Sequence, residues 1–165
     1  MVGDIEKVVA ALERAGVHYM IVGGVAVVLH GHLRTTADLD LVVRLEPPHA
    51  GNAVLALSAL GWRPRAPVPF ESFADPASRA SWMRDKGLTV FSLYNPNVQA
   101  MEIDLFVSEP FEFATVHGRA VRVQLEKTMG TVIALDDLIA MKRAAGRPGD
   151  LADIAALEAI RTHEP

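Results

Sequence analysis

The chain has 165 residues, no cysteine, and sixteen Lys and Arg against twenty Asp and Glu, a formal charge of −4. The lack of Cys excludes a disulfide framework, a thiolate zinc site and a Cys nucleophile, and the longest apolar run, Tyr19–Leu29, has eleven residues with two glycines, too short to span a bilayer. The acidic balance argues against broad, sequence-independent nucleic-acid binding, yet Arg outnumbers Lys twelve to four, which leaves room for a local phosphate-binding groove.

Asp4 and Glu6 stand where a basic-then-apolar leader would be, so a cytoplasmic chain is expected. The length predicts one domain over 1–165, with a core at 4–125 and C-terminal helices at 135–161. Residues 4–15 place Ile5, Val8, Val9 and Leu12 on one helical face, with Asp4 as N-cap and Gly16 as stop. Residues 17–22 read as a strand ending at Gly23-Gly24, followed by a short helix that ends at Gly31. Residues 38–45 alternate as a strand, with Asp38, Asp40 and Val42 on one side and Leu39, Leu41 and Val43 on the other. Pro47-Pro48 ends that strand, and 49–60 reads as a helix closed by Gly61. Residues 61–87 hold four prolines and five basic residues (Arg63, Arg65, Arg79, Arg84 and Lys86), and read as a lid, an insertion or irregular strands. Two strands, 88–94 and 100–107, follow as a hairpin across Asn95-Pro96-Asn97. A further strand covers 120–125. Helices occupy 135–145 and, capped by Asp150, the last stretch of the chain. The pattern predicts an α/β (α+β) fold with a short mixed sheet, helices on one side, and two C-terminal helices.

Asp38 and Asp40 lie i, i+2 within an apolar strand, so their Cβ atoms share one face roughly 6–7 Å apart. Their repulsion calls for a cation between them. Hard oxygen donors suit Mg²⁺, which binds through one or two carboxylates, waters and substrate phosphates. Asp104, embedded in Met101-Glu-Ile-Asp-Leu-Phe-Val107, joins them on one face if its strand lies alongside. Three carboxylates can hold two metal ions for an in-line phosphoryl displacement. Alternatively, Asp104 is a core acid paired with an Arg. Glu102 reads as a solvent-facing neighbour, with a supporting role open to it by parity.

Gly23-Gly24 lets a backbone approach a ligand closely at a helix N-terminus. The run Val22-Gly-Gly-Val-Ala-Val-Val-Leu-His-Gly-His-Leu-Arg-Thr-Thr-Ala-Asp-Leu-Asp-Leu-Val42, with Asp104 in Glu-Ile-Asp-Leu-Phe, resembles the signature of the polymerase-β-like nucleotidyltransferase superfamily. The 30–36 segment and the tail Leu138–Asp153 resemble its small bacterial branch related to AbiEii-type toxins. The resemblance implies a nucleotidyltransferase fold that moves a nucleoside monophosphate from an NTP to an acceptor, with two Mg²⁺ ions or Mn²⁺ in their place. It implies that Gly23 and Gly24 hold the triphosphate, that Asp38, Asp40 and Asp104 bind metal, and that Asp104 also serves as general base. Gly24 departs from the Ser of many members. A toxin–antitoxin role implies an antitoxin or toxin partner, while the acceptor is a protein, a tRNA or a small molecule.

Other residues carry paired readings. Lys142 is a triphosphate cation or a snorkelling surface Lys. Arg34 touches phosphate or pairs with Asp38 or Asp40, and Thr36 caps or contacts the site mouth. Arg147, Asp150 and Asp153 read as a capped helix junction. His30 and His32 lack a third ligand at zinc spacing. Trp62 and Trp82 stack on a base or belong to a core, and the 61–87 cations form an acceptor groove or a solvated loop. The rival function is a non-catalytic binding or regulatory partner that keeps the fold and the acids. A metal-dependent phosphohydrolase is a third.

Overall fold

The computed structural model describes residues 1–164. Helix α1 (Val2–Arg14) buries Ile5, Val8, Val9 and Leu12, the predicted face. It starts two residues before Asp4, so Asp4 is not the N-cap; its carboxylate lies in the first turn, near the positive end of the helix. Strand β1 (Tyr19–Val22) is buried throughout and passes directly into α2 (Gly23–Leu29). Strand β2 (Asp38–Val43) and helix α3 (His49–Ala59) follow as expected.

The 61–87 stretch is more ordered than its composition suggests. It contains β3 (Arg63–Pro64), a 3₁₀ turn at Phe70–Ala74 and α4 (Pro76–Lys86). Helix α4 has no apolar stripe, and of its side chains only Arg79 is buried. Its ends define it instead: Asp75 accepts from the Ala77 and Ser78 amides, Pro76 opens the first turn, and Gly87 closes it at φ +61°. Trp62 is buried and Trp82 stacks on Phe91 at 5.0 Å, so both tryptophans serve the core.

Strands β4 (Val90–Asn95) and β5 (Val98–Phe106) form the expected hairpin. Helix α5 (Phe113–Arg119) and strand β7 (Met129–Val132) were not foreseen, whereas β6 (Val121–Gln124) was. Helices α6 (Leu135–Ala145) and α7 (Pro148–His163) complete the chain. Helix α7 starts at Pro148 with Arg147 as N-cap. Asp150 is therefore the third helical residue, accepting from the Arg147 amide rather than capping.

Seven strands form one mixed sheet in the order β3-β4-β5-β2-β1-β7-β6. Helices cover both faces, not one. A Cβ on Gly130 would meet Val9 and Ile21, which puts α1 on the face of Ile21 and its partner Leu41. Helix α2 lies on the opposite face, where Gly23 abuts Asp40. The alternating apolar positions of β2 require this: Leu41 and Val42 point opposite ways and both are fully buried. No helix among the described residues is long and apolar enough to cross a membrane.

At the sheet end remote from Asp40, three histidines from separate segments stack. His18 lies 4.3 Å from His49 and 5.0 Å from His117, whose ring stacks on Phe113 at 5.2 Å. Arg44 sits over the Phe113 ring, and Glu13, Glu46, Glu112 and Arg122 surround the stack. Burial first, then the charges of His18 and Arg44, hold His49 and His117 below the ordinary imidazole range, with Glu46 opposing on His49. The folded state thus binds fewer protons than the unfolded chain. The stabilisation is complete above the unfolded value of about 6.5 and is lost as pH falls below it. Replacing His117 with Phe should keep the stack and flatten the fall in melting temperature between about pH 7 and pH 5. An unchanged acid slope would contradict this.

Candidate active site

Register places the acids. Strands β2 and β5 pair in parallel, with Asp38 opposite Glu102 and Asp40 opposite Asp104. Opposed residues share a face, so all four carboxylates emerge on one side of the sheet. Strand β1 runs antiparallel to β2 with Val22 opposite Asp40, and the Gly23 turn therefore begins where the Asp40 carboxyl stands. Gly23 has φ +66°, and a Cβ there would fall inside the Asp40 carboxyl. Both its backbone and its neighbour demand glycine.

The Asp40 carboxyl is pushed up to about 7 by burial, then by the charges of Asp104 and Asp38; Arg147 and Lys142 oppose the rise. Burial, Asp104 and Glu102 likewise raise Asp38. Asp104 accepts a hydrogen bond on Oδ1 from Ser92 Oγ at 2.5 Å. Ser92 stands opposite Asp104 on β4, a polar position inside an apolar strand that the motif reading overlooked. Glu102 forms an ion pair with Arg65, whose guanidinium also lies 4.7 Å from the Tyr94 ring.

Gly24 is enclosed by the loop before β2. A Cβ there would come within 2.7 Å of Thr36 Oγ1 and 3.6 Å of Arg34 Cζ. The loop therefore packs over the first turn of α2, and Thr36 Oγ1 donates to the Asp38 carbonyl at 3.3 Å. Arg34 pairs with neither Asp38 nor Asp40. It reaches Asp153 on α7 at 2.5 Å.

Lys142 is not a snorkelling surface residue. Its side chain is 6% exposed, and Nζ donates to Asp150 at 3.2 Å and Asp153 at 2.9 Å. Arg147 Nε donates to the other oxygen of Asp150 at 3.2 Å. The helix junction is thus an ion network that extends to the Gly24 turn. His30 is a helix-end residue, with Nε2 2.7 Å from the Ile133 carbonyl oxygen. Of the 61–87 cations, Arg79 is buried against the Phe73 carbonyl, Arg65 pairs with Glu102 and Arg84 pairs with Asp85.

The donor set at the sheet face is all carboxylate oxygen, the chemistry of a hard divalent cation. Among the described residues, however, no three His, Asp or Glu side chains are gathered closely enough to hold an ion as they stand. Like charges at opposed positions separate unless a cation lies between them.

The mixed seven-stranded sheet with its helices is the nucleotidyltransferase fold, shared with solved structures. The antibiotic-resistance factor ANT(2'')-Ia, described in complex with adenylyl-2''-tobramycin, matches with a TM-score of 0.61 and 15% identity over 98% of this chain and 92% of that chain. The lincosamide antibiotic adenylyltransferase LnuA, lincomycin-bound, matches at 0.58 and 16% identity over 90% of each chain. An antigenic nucleotidyltransferase-like protein from Paracoccidioides brasiliensis matches at 0.59 and 18% identity over 91% of this chain and 72% of that one. No family model and no curated protein matches the chain.

Proposed function

We propose that the chain is a metal-dependent nucleotidyltransferase that moves a nucleoside monophosphate from an NTP to an acceptor hydroxyl. The observation that supports it best is the parallel register of Asp38 and Asp40 with Glu102 and Asp104, closed by the Gly23 turn against Asp40. Asp38, Asp40 and Asp104 are the residues that would hold Mg²⁺, which supplies charge stabilisation to the phosphoryl oxygens. The backbone N–H groups of Gly23 and Gly24 bind the triphosphate, with Thr36 and Arg34 shaping the loop above them. Ser92 fixes Oδ1 of Asp104. Oδ2 remains to take the proton of the attacking hydroxyl. That hydroxyl forms a new bond to the α-phosphorus, the α–β bridging bond breaks, and pyrophosphate leaves with its electron pair.

The acceptor is better matched by a small hydroxyl-bearing molecule or a protein than by tRNA. A polyanion needs several free cations, and Arg65 and Arg79 in the basic segment are already engaged. The toxin–antitoxin setting rests on the resemblance of the 30–36 and 138–153 segments alone. Thermal shift separates an enzyme from a non-catalytic partner with the same fold. With Mg²⁺ and one cognate NTP at a hundred times its dissociation constant, stability should rise by about 2.7 kcal/mol. No shift with any of the four NTPs would contradict the reading.

A further inference from the structure

Ser92 is the hydroxyl that the fold delivers to the acids. Its Oγ donates to Asp104 Oδ1 at 2.5 Å. Among the described residues no other hydroxyl donates to the carboxylate of Asp38, Asp40, Glu102 or Asp104. Register gives this contact a direction. Asp40, Asp104 and Ser92 stand opposite one another on β2, β5 and β4, and so form one row across a single face of the sheet. Adjacent strands lie about 4.8 Å apart. Ser92 is therefore the first side chain beyond Asp104 on the side away from β1 and the Gly23 turn.

That part of the face is open. Phe91 and Leu93, on the other side of β4, are buried, whereas Val90, Ser92 and Tyr94 are only half-buried. Helix α2 packs on β1 and β2 instead. A hydrogen bond from a backbone or side-chain amide would hold Asp104 in place as well as a hydroxyl does. A hydroxyl adds a nucleophile whose proton already points at a base, the arrangement of an activated serine.

From this we infer that Ser92 is itself an acceptor, and that the chain nucleotidylates its own Ser92. The inference rests on the transferase reading and deepens it by naming one acceptor. Ser92 Oγ passes its proton to Asp104 Oδ1 and forms a bond to the α-phosphorus of the NTP. The α–β bridging bond breaks, and pyrophosphate leaves with its electron pair. The product is a phosphodiester between Ser92 and the nucleoside. It removes the hydrogen bond to Asp104 and sets a nucleotide on the open face beside it, where an external hydroxyl has to enter. A modified chain is therefore closed to other acceptors.

The test incubates the pure chain with Mg²⁺ and each α-labelled NTP in turn, without extract. Intact mass should rise by one nucleoside monophosphate less water, and peptide mapping should place the adduct on Ser92. The rate per chain should not change on dilution, as for a reaction within one molecule. Ser92→Thr should keep the label and Ser92→Ala should lose it, with circular dichroism to check that both fold. Mapping on the wild-type chain decides the site even where a variant misfolds. Chain that already carries the adduct should mark an acceptor in cell extract less than fresh chain does, in step with its occupancy; undiminished marking would contradict the closure. A wild-type chain that marks an extract acceptor but never itself would overturn the inference and leave the transferase reading standing. A label that persists in Ser92→Ala, or maps to another residue, would overturn it too. A chain that marks neither itself nor any extract acceptor would sink the transferase reading.

Discussion

Replacing Asp40 with Asn is expected to remove nucleotide transfer and, in the same protein, to raise the stability of the metal-free chain at neutral pH. The two effects have one cause. Asp40 is mostly buried, faces Asp104 and Asp38, and has its carboxyl pushed up to about 7. An unfolded chain would release that proton near the ordinary aspartate value of 3.8. Between these values the folded state holds a proton that the unfolded chain has lost. Stability from this group therefore falls as pH rises through the interval, by at most about 1.4 kcal/mol per unit. Asn removes the slope, because it carries the same shape with no charge to confine. Transfer should drop on the order of 10³-fold, the scale for deleting a preorganised group that stabilises transition-state charge. Melting curves at about pH 5 and 8, set beside turnover for both proteins, check the two halves together. An Asn variant that turns over normally, or melts earlier at neutral pH, would contradict the assignment.

Replacing Lys142 with Met should destabilise the fold by about 3 kcal/mol, toward the lower end of the range for breaking a buried ion pair from one side. Asp150 and Asp153 are both about 95% buried and would lose their shared cation. Each keeps an arginine, Arg147 and Arg34 respectively, which limits the loss. Because the network reaches the loop over Gly24, nucleotide affinity should fall with stability. Urea unfolding gives the first quantity and the NTP-dependent thermal shift the second. A variant as stable as wild type would show that the junction does not need its central charge.

The sequence made one half of the site readable and hid the other. Asp38 and Asp40 stand out because two like charges share one face of an otherwise apolar strand, opposite Leu39, Leu41 and Val43. Asp104 stands out for the same reason. That β2 and β5 run parallel in the register that opposes Asp40 to Asp104 is a tertiary fact no local pattern encodes. Ser92 was invisible because a single hydroxyl in a strand has no signature until its cross-strand partner is known. The Arg34–Asp153 pair joins residues 119 apart, and Lys142 meets its acids across two helices, so spacing could not announce either. Helix α4 escaped because hydrophobic periodicity was the guide, while its Asp75-Pro76 start and Gly87 stop were legible as capping chemistry. Strand β7 and helix α5 have four and seven residues, too few for a period to show.

The net charge of −4 is unevenly placed. Four of the twenty acids, Asp38, Asp40, Glu102 and Asp104, crowd one face of the sheet, and two more, Asp150 and Asp153, are buried beneath three cations. The net −4 reflects this placement as much as a solvated surface, and it does not weigh against a polyanionic substrate.

Transfer of the α-phosphoryl group with its nucleoside distinguishes this chemistry from hydrolysis. Each NTP, labelled in turn at the α- and the γ-phosphate, should be incubated with the chain, Mg²⁺ and a cell extract. One α-labelled NTP should mark an acceptor while its γ-label leaves as pyrophosphate. Release of the γ-label as free phosphate with no α-label on any acceptor would contradict it and identify a phosphohydrolase instead.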